Sequence, residues 1–138
     1  MAWSQFKFMN SEELIKKYGI RLWCKLSDDL DNLKQKIPKE PGVYVFKLNK
    51  YLNKLRGKSD ILYIGSSKNL RKRIINNYLK GRGGPTTKRI HSYLIKRNYI
   101  NFVEVGWKIT KNYKNLEKKL RNKFDKDHDQ LPPWNRQG

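Results

Sequence analysis

Tyr44 lies in the apolar run Gly42-Val43-Tyr44-Val45-Phe46, and Tyr63 in the run Ile61-Leu62-Tyr63-Ile64-Gly65. Arg73 follows Tyr63 by ten residues, and Glu117 and Asn135 come later in the chain. These residue types can handle protons, phosphates and hard cations. A phenol ionises near pH 10, so about one part in a thousand is phenolate at pH 7. It becomes a useful base only where nearby positive charge favours the phenolate. A guanidinium grips two phosphate oxygens with a planar fork. A carboxylate offers hard oxygen to a cation of the Mg²⁺ kind. Each residue also has a structural reading. Tyr44 and Tyr63 suit the interior of a sheet. Arg73 extends the basic run Lys68, Arg71, Lys72. Glu117 can pair with Arg121 one helical turn on. Asn135 suits a turn after Pro132 and Pro133.

Taken together, GVY, YIG, an arginine ten residues past the second tyrosine and a later glutamate-bearing helix resemble the GIY-YIG nuclease family. The run Ile37-Pro38-Lys39-Glu40-Pro41-Gly42-Val43-Tyr44 also resembles the approach to the first motif in excision-repair members. The resemblance covers residues 37–135. It implies a metal-dependent DNA endonuclease that hydrolyses phosphodiesters with Mg²⁺ or Mn²⁺. It implies Tyr44 and Tyr63 as the motif tyrosines, with Tyr44 assigned as base and Tyr63 hydrogen-bonding the water or the scissile phosphate. Arg73 is then the phosphate-gripping arginine, and Glu117 the metal ligand. Asn135 would orient Glu117 or a backbone phosphate. Gly42 and Gly65 would allow close backbone approach through their missing side chains. The chemistry is coherent, because phosphodiester hydrolysis needs an activated water, stabilised phosphoryl charge and help for the leaving oxygen.

The sequence departs from the family pattern in places. Ser66 stands where some members have lysine, and Asn77, with Tyr78 beside it, where some have histidine or tyrosine. His91 is either a substitute proton shuttle or an ordinary helix residue. The same fold without activity, as a nucleic-acid-binding module, and a nuclease acting on RNA both stand as alternatives.

The elements that must position these residues can be read from periodicity. Residues 1–36 form an N-terminal extension expected to pack on a core domain, 37–138. Asn10 with Glu13 has the form of a capping box, and Gly19 suits a helix end. A second helix is expected after Ser27, with Asp28, Asp29 and Asp31 at its positive end. Strands are expected at 42–46, 61–65 and 102–110, and helices at 69–80 and 87–98. A further helix carries Leu116, Leu120 and Phe124 inward, and the tail from Asp125 reads as loop. The resulting fold class is α/β: a small three-stranded antiparallel sheet flanked by helices. The two motif strands form a hairpin joined by a long basic connection, 47–60, containing Lys47, Lys50, Lys54, Arg56 and Lys58.

Charge bears on the partner. The 138 residues include 32 Lys and Arg against 12 Asp and Glu, a net charge of +20. Such an excess repels itself, and a polyanion relieves it by releasing condensed counterions. DNA, duplex or branched, is the expected partner, through Lys68, Arg71, Lys72, Lys54, Arg56, Lys58, Arg82 and Lys88. A restriction-type cut of a palindrome would require two sites, hence a homodimer or transient pairing. Cys24 is the single cysteine, so neither an internal disulfide nor a cysteine-rich zinc site can form. No apolar run approaches membrane-spanning length, and no signal peptide is recognised; a cytoplasmic location is expected.

Overall fold

The computed structural model describes residues 8–135. Strand β2 (Gly42–Asn53) sets the layers, because its side chains alternate. Val43 and Val45 face one apolar cluster with Ile61, Ile64, Leu120 and Phe124. Tyr44, Phe46 and Leu48 face the other, with Leu62, Ile74, Tyr78, Ile90 and Trp134. Both faces of the sheet are therefore covered, which a strand apolar on both sides requires.

β2 pairs antiparallel with β3 (Lys58–Ser67) on one side and β4 (Val103–Ile109) on the other. A fourth strand, β1 (Arg21–Lys25), pairs antiparallel with β4 and makes the sheet order β1-β4-β2-β3. The expected three-stranded sheet is thus corrected to four. The extra strand comes from the N-terminal extension. It is a short edge strand, irregular in register between Arg21 and Cys24, with Leu22 in the left-handed region at φ 62°. Five residues with one buried side chain carry little periodic signal.

The long connection is corrected as well. β2 and β3 continue through most of it, Leu52 pairing with Ser59 and Asn53 with Lys58, so the turn itself is only 54–57. Alternating Lys and Asn on an exposed ribbon looks like loop in sequence, yet the backbone ladder needs no apolar side chain. A shift in register between Phe46 and Lys47 faces Ile61–Tyr63. This bulge lets Ile61 and Ile64 share one face while Leu62 and Tyr63 pack on the other.

Helix α1 (Ser11–Glu13, widening to a π-type turn over Leu14–Tyr18) has the expected cap, with Asn10 Oδ1 accepting from the Glu13 amide at 3.0 Å. Gly19 ends it at φ 68°. Helix α2 (Leu30–Lys36) is capped by Asp29 and buries Leu33. Helix α3 (Lys72–Leu79) is π-type, and α4 (Pro85–Ile95) begins on Pro85. Helix α5 (Tyr113–His128) runs into the segment expected to be loop. Its last turn is held by His128, which is 0% exposed among Phe124 and Phe8. One ring nitrogen of His128 lies 2.7 Å from the Arg56 carbonyl and the other 3.1 Å from that of Met9. A histidine among four charged residues, Asp125, Lys126, Asp127 and Asp129, gives no apolar signal, so the sequence does not show this turn. The segment after α5 covers the open edge of β3: the Trp134 amide donates to Leu62 O at 2.9 Å.

Replacing His128 with alanine would remove the ring nitrogens beside the Arg56 and Met9 carbonyls, the second of which still accepts from Ser59 Oγ, and would leave a cavity between two phenyl rings. The expected loss is about 2–4 kcal/mol. Urea unfolding with an unchanged m-value measures it, and a loss below about 1 kcal/mol would show that the clamp is dispensable.

Candidate active site

The antiparallel register places Tyr44 opposite Gly65 and Phe46 opposite Tyr63, so both motif tyrosines emerge on one face of the sheet. Tyr78 from α3 completes a triangle of phenols. Ring centroids are 6.1 Å apart for Tyr44 and Tyr63, 5.8 Å for Tyr44 and Tyr78, and 6.1 Å for Tyr63 and Tyr78. The hydroxyls of Tyr44 and Tyr78 share a hydrogen bond of 2.5 Å. In a regular α-helix Asn77 would sit one turn after Arg73; the wider π-type turn advances the position to Tyr78. Asn77 instead donates its side-chain amide to Arg82 O. The helical spacing of Leu70, Ile74 and Tyr78 places Tyr78 on the inner face of this helix, but nothing in the spacing indicates a π-type turn.

Gly65 is needed for a different reason from the one expected. A Cβ there would lie 2.5 Å from the Tyr44 hydroxyl and 2.7 Å from the Tyr63 ring. Its missing side chain admits a protein phenol. Gly42 has a similar constraint: a Cβ would lie 2.3 Å from Lys108 O.

Electrostatics bear on the expected base. Burial pushes the Tyr44 phenol well above the usual tyrosine range, and the adjacent Tyr78 and Tyr63 phenols add to the shift. Arg73 acts in the lowering direction, as expected, but is outweighed. Tyr44 is 1% exposed, and desolvation of a phenolate there exceeds what one partly solvated guanidinium returns. Tyr78 is raised for the same leading reason, burial. In this geometry the Tyr44 phenol hydrogen-bonds Tyr78, and its burial opposes ionisation. Tyr63 is the half-buried member of the triangle.

Glu117 lies on α5, facing the end of β3. Ser66 Oγ donates to its Oε1 at 2.5 Å, and Arg121 donates to its Oε2 at 3.3 Å, the pairing its i+4 spacing suggested. Ser66 therefore has a definite partner, although the sequence presented it only as a missing lysine. Each Glu117 oxygen retains a lone pair, and its side chain is 24% exposed. The described residues contain no cluster of three or more His, Cys, Asp or Glu suited to a metal. One hard carboxylate with room for solvent and phosphate oxygens fits Mg²⁺ or Mn²⁺ and does not fit Zn²⁺.

The Arg73 guanidinium makes no hydrogen bond or ion pair to protein among the described residues. It lines a groove of ≈ 520 Å³ with Ser66, Ser67, Lys68, Asn69, Lys72, Asn77, Tyr113 and Lys114. No carboxylate is among these lining residues. Neither Tyr44, Tyr63 nor Glu117 lines the groove itself; Glu117 reaches it through Ser66.

Asn135 is 8% exposed, and its amide is spent on β3: Oδ1 accepts from Ile64 N at 2.9 Å and Nδ2 donates to Ile64 O at 3.0 Å. It extends the ladder at the edge beside Tyr63 and makes no hydrogen bond to Glu117. His91 is likewise committed, with Nδ1 2.8 Å from Tyr78 O and its ring against Gly81. It sits on α4 with Nδ1 engaged by the end of α3. Lys54, Arg56 and Lys58 belong to the hairpin end that meets His128 at the C-terminus of α5. Tyr113 and Lys114, which line the groove, start that helix. A helix of this length separates the two ends by roughly 20 Å, so these three cations are not gathered at the groove. Arg82 and Lys88 do not line this groove, whereas Lys68 and Lys72 do.

Gly65→Ala should cost about 1–3 kcal/mol by forcing the Tyr44 and Tyr63 rings apart. Urea unfolding reads the loss, and near-UV circular dichroism reads the rings; unchanged values in both would show that the rings yield freely.

The GIY-YIG catalytic domain is the family description that matches, over residues 40–130. A search of curated protein sequences gave no significant match. Among solved structures, the chain is similar to the GIY-YIG N-terminal endonuclease domain of UvrC from Thermotoga maritima. A point mutant bound to its catalytic divalent cation is 20% identical with a TM-score of 0.43, and the magnesium-bound form is 21% identical with a TM-score of 0.43. Both comparisons cover 78% of this chain and 96% of that one. With the family description spanning most of the sheet, the phenol triangle, Arg73 and Glu117, the chain belongs to the GIY-YIG family.

Proposed function

We propose that the protein is a DNA endonuclease that hydrolyses phosphodiester bonds with a divalent cation held by Glu117. One observation carries this reading: Ser66, bonded to Glu117, and the unpaired Arg73 share a basic groove beside the motif tyrosines. A phosphate in that groove would meet the Arg73 fork, with Lys68, Lys72 and Lys114 contributing positive field. Ser66 and Arg121 hold the Glu117 carboxylate on its two sides and leave lone pairs outward. When bound there, Mg²⁺ or Mn²⁺ would supply charge stabilisation for the phosphoryl oxygens and the leaving oxygen.

Within this reading Tyr63, rather than Tyr44, orients the attacking water and takes its proton. It is the more exposed of the two, and Tyr44 is kept neutral by burial and by its bond to Tyr78. Tyr44 and Tyr78 brace the Tyr63 ring, as does Phe46 at a centroid distance of 6.0 Å. Asn135 acts one step further back, holding the β3 backbone at Ile64. Members of the family that recognise a palindrome would need two such sites, so the oligomeric state in the presence of DNA separates a restriction role from a repair role.

Glu117→Ala should abolish Mg²⁺-dependent cutting while DNA binding persists. Tyr63→Phe should slow cutting by about 10²–10⁴-fold, the usual worth of general acid–base catalysis. Digestion of duplex, nicked, branched and single-stranded DNA, with ends mapped, gives the readout. If wild-type protein binds these DNAs yet cuts none of them in Mg²⁺ or Mn²⁺, it is a binding module and the nuclease reading is wrong.

A further inference from the structure

A second basic cleft opens beside the groove that holds Arg73. It has a volume of ≈ 170 Å³ and is lined by Lys34, Lys39, Asn69, Arg71, Lys72, Ile75 and Asn76. Lys34 comes from α2, which precedes the segment matched by the family description. Lys39 comes from the connection between α2 and β2. Asn69 and Lys72 line both the cleft and the groove, so the two are continuous.

The cleft is built rather than incidental. The Arg71 amide donates to Pro38 O and the Leu70 amide to Glu40 O, each at 3.0 Å, which ties the start of α3 to the connection. Arg71 Nε donates to Ile37 O at 2.7 Å. That bond fixes the guanidinium, and its terminal N–H groups donate to no protein acceptor among the described residues. Lys34, Lys39 and Lys72 form no ion pair among the described residues either. No carboxylate lines the cleft. Four cations without counter-charge, one of them pre-oriented, are costly to hold together in the free protein, and a phosphodiester relieves that repulsion.

We propose that this cleft binds a backbone phosphate of DNA flanking the one held at Arg73, so that α2 of the N-terminal extension acts as part of the DNA-binding surface. The inference rests on the nuclease reading only for the choice of DNA as ligand. Lys72, common to both sites, makes the strand path continuous from one to the other.

The test is binding of a fluorescein-labelled duplex, followed by anisotropy over a range of salt concentrations without divalent metal. Lys34→Ala/Lys39→Ala removes two exposed side chains and should leave the fold intact. The slope of log K against log salt should fall in magnitude by about 1, since each neutralised phosphate contributes about 0.9. Affinity at low salt should drop about tenfold or more. Lys34→Arg/Lys39→Arg should bind as wild type. The control Lys96→Ala/Lys126→Ala, which removes equal charge outside both grooves, should leave the slope within error. The proposal is overturned if the alanine pair in the cleft changes the slope no more than that control, or if wild-type protein does not bind the duplex at all. Cutting is not read here. Protein that binds through the cleft yet never cleaves therefore supports this inference while removing the nuclease reading.

Discussion

The contact between Tyr44 and Gly65 constrains everything around the site. Two antiparallel strands bring directly opposed residues close, and a phenol can lie across its partner strand only if that partner has no side chain. Gly65 meets this requirement, since any Cβ there would overlap the Tyr44 hydroxyl. The rings of Tyr63 and Tyr78 then close over the same spot. The result is a buried, hydrogen-bonded aromatic cluster at the end of the sheet that adjoins Ser66 and α3.

That burial has a chemical consequence. Removing a phenol from water favours its neutral form, and one guanidinium at the edge does not reverse the effect at Tyr44. A family motif with two tyrosines thus presents two unequal groups in this chain. One is a fully enclosed phenol hydrogen-bonded to Tyr78, and the other is half-exposed. The antiparallel register sets both tyrosines on one face, and the inequality comes with the π-type turn of α3, which supplies Tyr78 instead of Asn77 and closes it against Tyr44.

Charge is arranged as unevenly as the phenols. A net +20 is spread over the whole chain, yet the carboxylates are drawn into local pairs such as Lys123 with Asp127 and Lys47 with Glu104. The two grooves flanking the start of α3 have cations and no carboxylate in their linings. The separation matters because a phosphate is attracted by the local excess, within a Debye length of about 10 Å at 0.1 M salt.

The motif strands, the capping of α1, the family and the identity of its marker residues could all be read from the sequence. These rest on local pattern: alternating apolar residues, Asn10 three residues before Glu13, and fixed spacing from Tyr63 to Arg73. The fourth strand, the extended hairpin, the partner of Ser66 and the structural duties of His91, His128 and Asn135 were decided by tertiary structure alone. Each depends on residues distant in sequence: Ile64 with Asn135, Met9 with His128, Ser66 with Glu117. A polar side chain looks the same in sequence whether it faces water or caps a buried carbonyl, because its hydrogen-bond partner arrives only when the chain has folded. The same holds for Tyr44: its type was plain from the sequence, but its protonation depends on how completely the other elements enclose it.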